Sequence, residues 1–278
     1  PFSFKKNYEM SYLVLKLKRK LKYRINLGLL TPNNIINKKV SIIKSLKVDY
    51  GKEKKEISKF FSISGKLKKG IIFKGDLSRC DYIGNEMING KIIIKGNVGN
   101  YLGNNMKGGK IIVNGSASNY TASSLKNGEI LITKNTGDFL GSSIQGEKIG
   151  MSGGRVIIKG NAGHRVGYKM RSGIILIKNN AKDFVGCQMI AGTIIIKGKT
   201  GSNVGLLMKR GTIVLEKQKL SEAYLKYSGK NNYIFLKVIQ NYLENLNDEF
   251  KDIFPNTYIK KYLGDITCKG MGEILILN

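Results

Sequence analysis

The side chains able to do chemistry are few and widely spaced. In 278 residues there is one histidine, His164, and there are three cysteines, Cys80, Cys187 and Cys268. A metal centre or an activated nucleophile needs such residues at short, fixed intervals, so that one turn or one helix face presents them together. No CxxC or HxxH spacing occurs, and no cluster of carboxylates offers an acid–base pair. A phosphate-binding Walker lysine is also missing. No catalytic residue and no metal ligand is expected in this chain. Three thiols without a close pair fit a reducing, cytoplasmic setting.

Two recurring patterns remain. Glycine pairs such as Gly96-Asn97-Val98-Gly99 resemble part of a dinucleotide fingerprint, but that motif occurs once and opens a helix. Here the spacing recurs and is followed by further extended signals, so it marks corners. The second pattern is a lysine column, Lys74, Lys95, Lys159, Lys178 and Lys197. If neighbouring segments pair as strands, these ammonium groups stack in two groups at steps of about 4.8 Å, and like charges that close repel unless an anion lies over them. The column is either a groove for an extended acidic ligand or a solvated lysine face produced by biased coding. His164 stands in a turn column otherwise filled by Asn100, Asn119, Asp138, Asp183 and Ser202, which makes it a turn residue.

What must position all of these is an internal repeat. GKIIIKGNVGNYLGNNMKG from Gly90 is followed by GKIIVNGSASNYTASSLKN from Gly109, each of 19 residues, and the pattern returns at Gly154, Gly173, Gly192 and Gly211. The first copy, residues 69–89, has two extra residues, and the fourth, residues 128–153, carries a seven-residue excursion around residues 146–152. A unit this short cannot bury its own apolar side, so the units must stack. The predicted architecture is mainly β: a right-handed parallel β-helix of about seven coils.

The columns agree. Ile92, Ile111, Ile130, Val156, Ile175, Ile194 and Ile213 form one, and Ile94, Val113, Ile132, Ile158, Ile177, Ile196 and Leu215 another two residues on; period two sends both inward. Leu102, Leu140, Val166, Val185 and Val204, with Met106, Leu125, Ile144, Met170, Met189 and Met208, fill the rest of the bore. Gly96, Gly115, Gly160 and Gly198, with Asn179, fall where a corner is expected to need positive φ; Lys134 breaks that column. The intervening column should face outward, yet it reads Ile93, Ile112, Leu131, Ile157, Leu176, Ile195 and Val214. A sheet apolar on both faces is normally covered on both, so either the terminal segments or another protein covers this stripe.

Residues 1–68, with alternating Leu13, Leu15, Leu17 and a Thr31-Pro32 helix start, predict a small β-rich N-terminal cap over the first open edge. Residues 69–216 are the stack. Residues 217–278 supply a helical segment over 233–250, with Phe235, Ile239, Tyr242, Leu246 and Phe250 on one face, and a closing strand at 272–277. No uncharged run reaches the ~18 residues that span a bilayer, so no membrane partner is expected. The formal charge of +29 favours a polyanionic partner or an acidic neighbour. Of 48 basic residues only seven are arginine, whereas phosphate readers favour the bidentate guanidinium; no nucleic acid is expected.

At GDLSRCDYIG (75–84), GEKIGMSGG (146–154), MIAGTIIIKG (189–198) and the glycine repeats, the chain resembles the C component of the formyltransferase/hydrolase complex of methylotrophic bacteria. It is similar also to the C component of formylmethanofuran dehydrogenase and, more distantly, to the GXGXG domain of glutamate synthase. The C-terminal KYLGDITCKGMGEIL (261–275) looks closer to the bacterial branch. The resemblance implies a noncatalytic, cytoplasmic part of a larger enzyme, in hetero-oligomer with formyltransferase-like and amidohydrolase-like subunits. That assembly passes the formyl group of formyl-tetrahydromethanopterin to a methanofuran-like carrier and hydrolyses it to formate. It also gives Lys95, Lys159, Lys178 and Lys197 a task, contacts to the acidic tail such a carrier can bear. The C component of a tungsten or molybdenum formylmethanofuran dehydrogenase and, in a different class, a standalone polyanion-binding protein are the alternatives.

Overall fold

The structure is a computed structural model and describes residues 11–216, 218–234, 236–237, 240–241 and 258–277. Short runs such as Lys91–Lys95 extend because stacked β-branched side chains favour the pleated conformation and because left-handed glycines, Gly90 and Gly96, bound them. Each run pairs in parallel with its counterpart in the next unit: Ile71, Ile92, Ile111, Ile130, Val156, Ile175, Ile194, Ile213 and Ile274 are successive partners, and a register shift falls between Ser152 and Arg155. Among the described residues thirteen strands form one large, mostly parallel sheet, and the chain is mainly β.

Both ends of the parallel series are closed by this chain. Tyr12–Leu17 adds in parallel to Gly70–Lys74, and Phe61–Gly65 closes that edge antiparallel. At the other end Glu273–Ile276 adds to Thr212–Leu215, followed by the antiparallel Tyr258–Leu263 and Lys226–Asn232. The N-terminal residues also form the short helices Pro32–Ile35 and Val40–Ser45 and the hairpin Lys47–Tyr50 with Glu53–Glu56. Leu236, Lys237, Gln240 and Asn241 are helical; Phe235, Ile239, Tyr242, Leu246 and Phe250, the apolar face expected of that helix, lie outside the described residues.

The remainder of each unit stacks as closely as the strands do. Leu77, Val98, Ala117 and Thr136 are joined by parallel bridges, as are Ala162 and Ala181, and backbone bonds such as Tyr101 N–H to Asn119 O and Asn105 N–H to Ser123 O link the turns. Both inward columns are fully buried from Ile92 to Leu215. A fully buried aliphatic side chain contributes about 1.5–3 kcal/mol relative to exposure, so a few such residues per unit outweigh the cost of its left-handed turns.

Two expectations need correction. The methionine column continues through Met151, fully buried with its N–H on Gly141 O, while Ile144 is only half-buried. The excursion is therefore 144–150, which leaves the stack after Ser143 and returns with an apolar residue in the bore. Of the corner glycines only Gly96 has positive φ, 146°. The others are small for a different reason: a Cβ on Gly115 would lie 2.3 Å from Gly96 O, and one on Gly160 2.6 Å from Lys134 O. Lys134 and Asn179 carry a Cβ in the same column, also without positive φ.

Thr136 is the polar member of an apolar bridge column, buried, and its hydroxyl has no hydrogen-bond partner. An unpaired buried hydroxyl is destabilising, and valine has the same shape. Thr136→Val is expected to raise unfolding free energy by about 1 kcal/mol, read as a higher urea midpoint at unchanged slope; a lower midpoint would contradict the inward placement of this side chain.

Candidate functional site

The lysine column is real but interrupted. Lys74 and Lys95 are register partners. Lys159, Lys178 and Lys197 occupy the same step in three successive units, their N–H groups on Ile132, Ile158 and Ile177 carbonyls. Between the two groups stand Asn114 and Thr133, bonded the same way to Ile94 and Val113. Lys95 is thus three steps from Lys159, about 14 Å at a strand spacing near 4.8 Å. Lys95 and Lys178 are exposed, and Lys159 and Lys197 are half-buried. All alternate with inward residues and so lie on the outer face, beside the apolar stripe.

That stripe is largely covered by the chain itself. Ile157, Leu176, Ile195, Val214 and Leu275 are buried in one cluster with Leu236 and Ile259 of the C-terminal segment. At the other end Ile72 and Ile93 are buried with Tyr12 and Val14. Ile112 and Leu131, in the middle, remain half-buried. Beside this window, on the same face, Glu129 binds two cations: Lys110 Nζ lies 2.5 Å from Oε1, and Arg155 Nη2 bonds Oε2. Burial pushes the Glu129 carboxyl up, but the hydrogen bonds from Lys110 and Arg155 and their charges outweigh it and hold the group below its ordinary value.

A second column is not anticipated by the sequence reading. Tyr82, Tyr101, Tyr120 and Phe139 stack face to face with centroids 4.6, 4.9 and 4.7 Å apart. Arg165 follows in the next unit, its guanidinium 4.8 Å from the Phe184 ring and 5.9 Å from Phe139. All have φ near +60°, which costs about 1–2 kcal/mol per residue, whereas aromatic pairs return about 0.5–1.5 kcal/mol each. The signal is present, an aromatic residue at 82, 101, 120 and 139 in step with the repeat, but bulky rings are not expected in left-handed turns.

Beside the rings runs a ladder of carbonyl and carboxylate acceptors. Asp81 Oδ1 accepts from Asn100 N–H at 2.7 Å, Asn100 from Asn119, Asn119 from Asp138, Asp138 from His164, and Asp183 from Ser202. His164 therefore sits in the turn ladder, its Nδ1 3.2 Å from Asp183 Oδ2. Asp183 is held below its usual carboxylate range, first by the Ser202 N–H. Cys80 and Cys187 are buried free thiols whose ionisation burial pushes up; Cys268 is partly exposed. Among the described residues no group of three His, Cys, Asp or Glu side chains could hold a metal, and no helix is long and apolar enough to cross a membrane.

A parallel stack of glycine-cornered units whose polar columns face outward defines a repeat protein that presents surfaces. The chain belongs to the GXGXG motif family, which matches residues 70–265. It is 36% identical over 94 residues to the C component of the tungsten-containing formylmethanofuran dehydrogenase 2 of Methanothermobacter marburgensis, over 32% of this chain and 35% of that protein. The aligned stretch thus spans about a third of that relative's length. In structure it is similar to a chain of the formyltransferase/hydrolase complex (FhcABCD) from Methylorubrum extorquens, crystallised with methylofuran. The TM-score is 0.90 at 27% identity, covering 95% of this chain and 99% of that one.

A carboxylate depressed in the folded state stabilises fully above its unfolded pKa of about 4.3, and that contribution is lost as pH falls through the folded value. Glu129→Gln is expected to lower stability at pH 7 by about 1 kcal/mol, a hydrogen-bonded ion pair discounted for solvent. The gap to the wild type should close below pH ~4, measured by urea unfolding at several pH values. A gap independent of pH would show that the pair does not stabilise the fold.

Proposed function

We propose that this chain is a noncatalytic structural subunit of a formyltransferase/hydrolase complex, in hetero-oligomer with formyltransferase-like and amidohydrolase-like subunits. The complex transfers the formyl group of formyl-tetrahydromethanopterin to a methanofuran-like carrier and hydrolyses it to formate in the cytoplasm. The observation that carries this reading is the likeness to a chain of FhcABCD over nearly the whole length of both. The local match to the C component of a formylmethanofuran dehydrogenase favours a second reading, the same scaffold in a tungsten or molybdenum enzyme. The standalone polyanion binder has only net charge behind it.

Within this reading the stacked units are a right-handed β-helix of about seven coils over residues 69–216, between a cap, 1–68, and a closing segment, 217–278. The parallel pairing of successive units and the second line of bridges support it. The three successive ammonium groups of Lys159, Lys178 and Lys197 suit the tail of an acidic carrier. Lys95 would meet the tail only if it ran on past Thr133 and Asn114.

Coexpression with the other subunits decides between the classes: a stable complex with formyltransferase/hydrolase activity, and none from this chain alone, is expected. A chain that purifies alone and binds nucleic acid in a steeply salt-dependent way would overturn the reading. Within an intact complex, Lys159→Glu with Lys178→Glu and Lys197→Glu is expected to weaken carrier binding at low salt about tenfold, since each charge contact is worth up to roughly 1 kcal/mol at a solvated site. Unchanged affinity would remove the lysine contacts.

A further inference from the structure

At the end of the stack nearest the C-terminal strands, a cleft of about 610 Å³ opens between the turns of the last units and the loop after Tyr258–Leu263. Arg171, Ile190 and Lys209 stand one above another on its wall, each with its N–H on the carbonyl of a bore methionine, Met151, Met170 or Met189. Arg210, Lys269 and Met271 also line it. Every charged residue lining the cleft is a cation, and Met271 is 57% exposed. The opposite wall is held in place by Asp265, whose carboxylate accepts from Leu207 N–H, Thr267 N–H and Thr267 Oγ1.

Arginine is scarce in this chain, seven of 48 basic residues, and two of the seven meet here. Four of the others are engaged internally: Arg24 with Asp81, Arg79 with Lys22 O, Arg155 with Glu129, and Arg165 on aromatic rings. Arg19 is exposed far away in the N-terminal region. Among the described residues Arg171 and Arg210 have no ion pair or side-chain hydrogen bond. Biased coding supplies lysine rather than arginine, so it does not account for this pair. A guanidinium holds a carboxylate with two parallel hydrogen bonds, which a lysine does not. Apolar floor with a charged rim is the anatomy of a protein interface. No aromatic side chain lines the cleft on which a nucleic acid base could stack.

We propose that this cleft docks an acidic amphipathic segment of a partner protein, with carboxylates on Arg171 and Arg210 and an apolar side chain against Ile190 and Met271. The segment belongs to another member of the assembly proposed above, so the identity of the partner rests on that reading. The cleft chemistry does not.

Cys268 lines the same cleft while Cys80 and Cys187 are buried, so maleimide labelling of the full chain reports on occupancy. A synthetic peptide with glutamates flanking two leucines is expected to slow Cys268 labelling at least fivefold at low salt. Polyglutamate of equal charge should need roughly tenfold more for the same effect, the loss expected when one aliphatic side chain is not buried. Arg171→Glu with Arg210→Glu should abolish protection with the circular dichroism spectrum unchanged. No protection of the wild type, or equal protection by polyglutamate or by a single-stranded oligonucleotide of equal charge, would overturn the proposal. Because the peptide assay uses this chain alone, its failure leaves coexpression results standing, and failed coexpression leaves peptide protection standing.

Discussion

Every unit of this protein depends on its neighbours for hydrogen bonds it cannot make within itself. Nineteen residues folded as one short strand and a run of turns leave most backbone donors pointing along the stack, and buried donors without partners are strongly unfavourable. The strands solve this for four or five residues per unit. The turns solve it by lending side-chain oxygens upward, as Asn97 does for Ser116, Asn135 for Asn161, Asn161 for Asn180 and Asn180 for Lys199. Repeat length is therefore rigid where it stacks. The seven extra residues of the fourth unit are tolerated because they leave after Ser143 and the chain returns at Met151, whose N–H bonds Gly141 O.

A stack held this way has two open ends and an outer sheet face, and their treatment bears on function. Both ends of the parallel series carry antiparallel strands of this chain, and the outermost, Lys226–Asn232, bears lysines of the kind that disfavour edge-to-edge pairing. The outer isoleucine stripe is covered over most of its length by residues of the chain. Partners must then bind by chemistry displayed at the corners and along the polar columns, not by a long bare apolar face.

The isoleucine columns are legible in the sequence because a strict period makes the inward positions coincide. Three features are not, each for a physical reason. Counting forward from Leu140 places Ile144 in the bore, because the phase is lost inside an insertion; only the backbone path shows Met151 restoring it. Glycine serves two purposes here, positive φ at Gly96 and absence of a Cβ at Gly115 or Gly160, and the letter G does not distinguish them. The tyrosine column is hidden because propensity argues against bulky residues at positive φ, while stacking across units, a tertiary effect, offsets that cost. The lysine column falls where the repeat places it, but its break at Asn114 and Thr133 separates Lys95 from the other three.

The core of a stacked repeat says little about which partner it serves, since isoleucine follows isoleucine for reasons of packing alone, and the same scaffold supports different assemblies. Departures from the repeat that cost nothing inside are more informative, because packing does not dictate them. The excursion at 144–150, the lysine column interrupted at Asn114 and Thr133, and the two arginines at the last turns all depart from an otherwise uniform stack. Lys107, Lys126, Ser152, Arg171, Ile190 and Lys209 follow one another in a single column, so cations there give way to a serine and an isoleucine while the bore residues whose carbonyls they bond stay apolar. Specificity in such a protein is written in the residues that the ladder leaves free to vary.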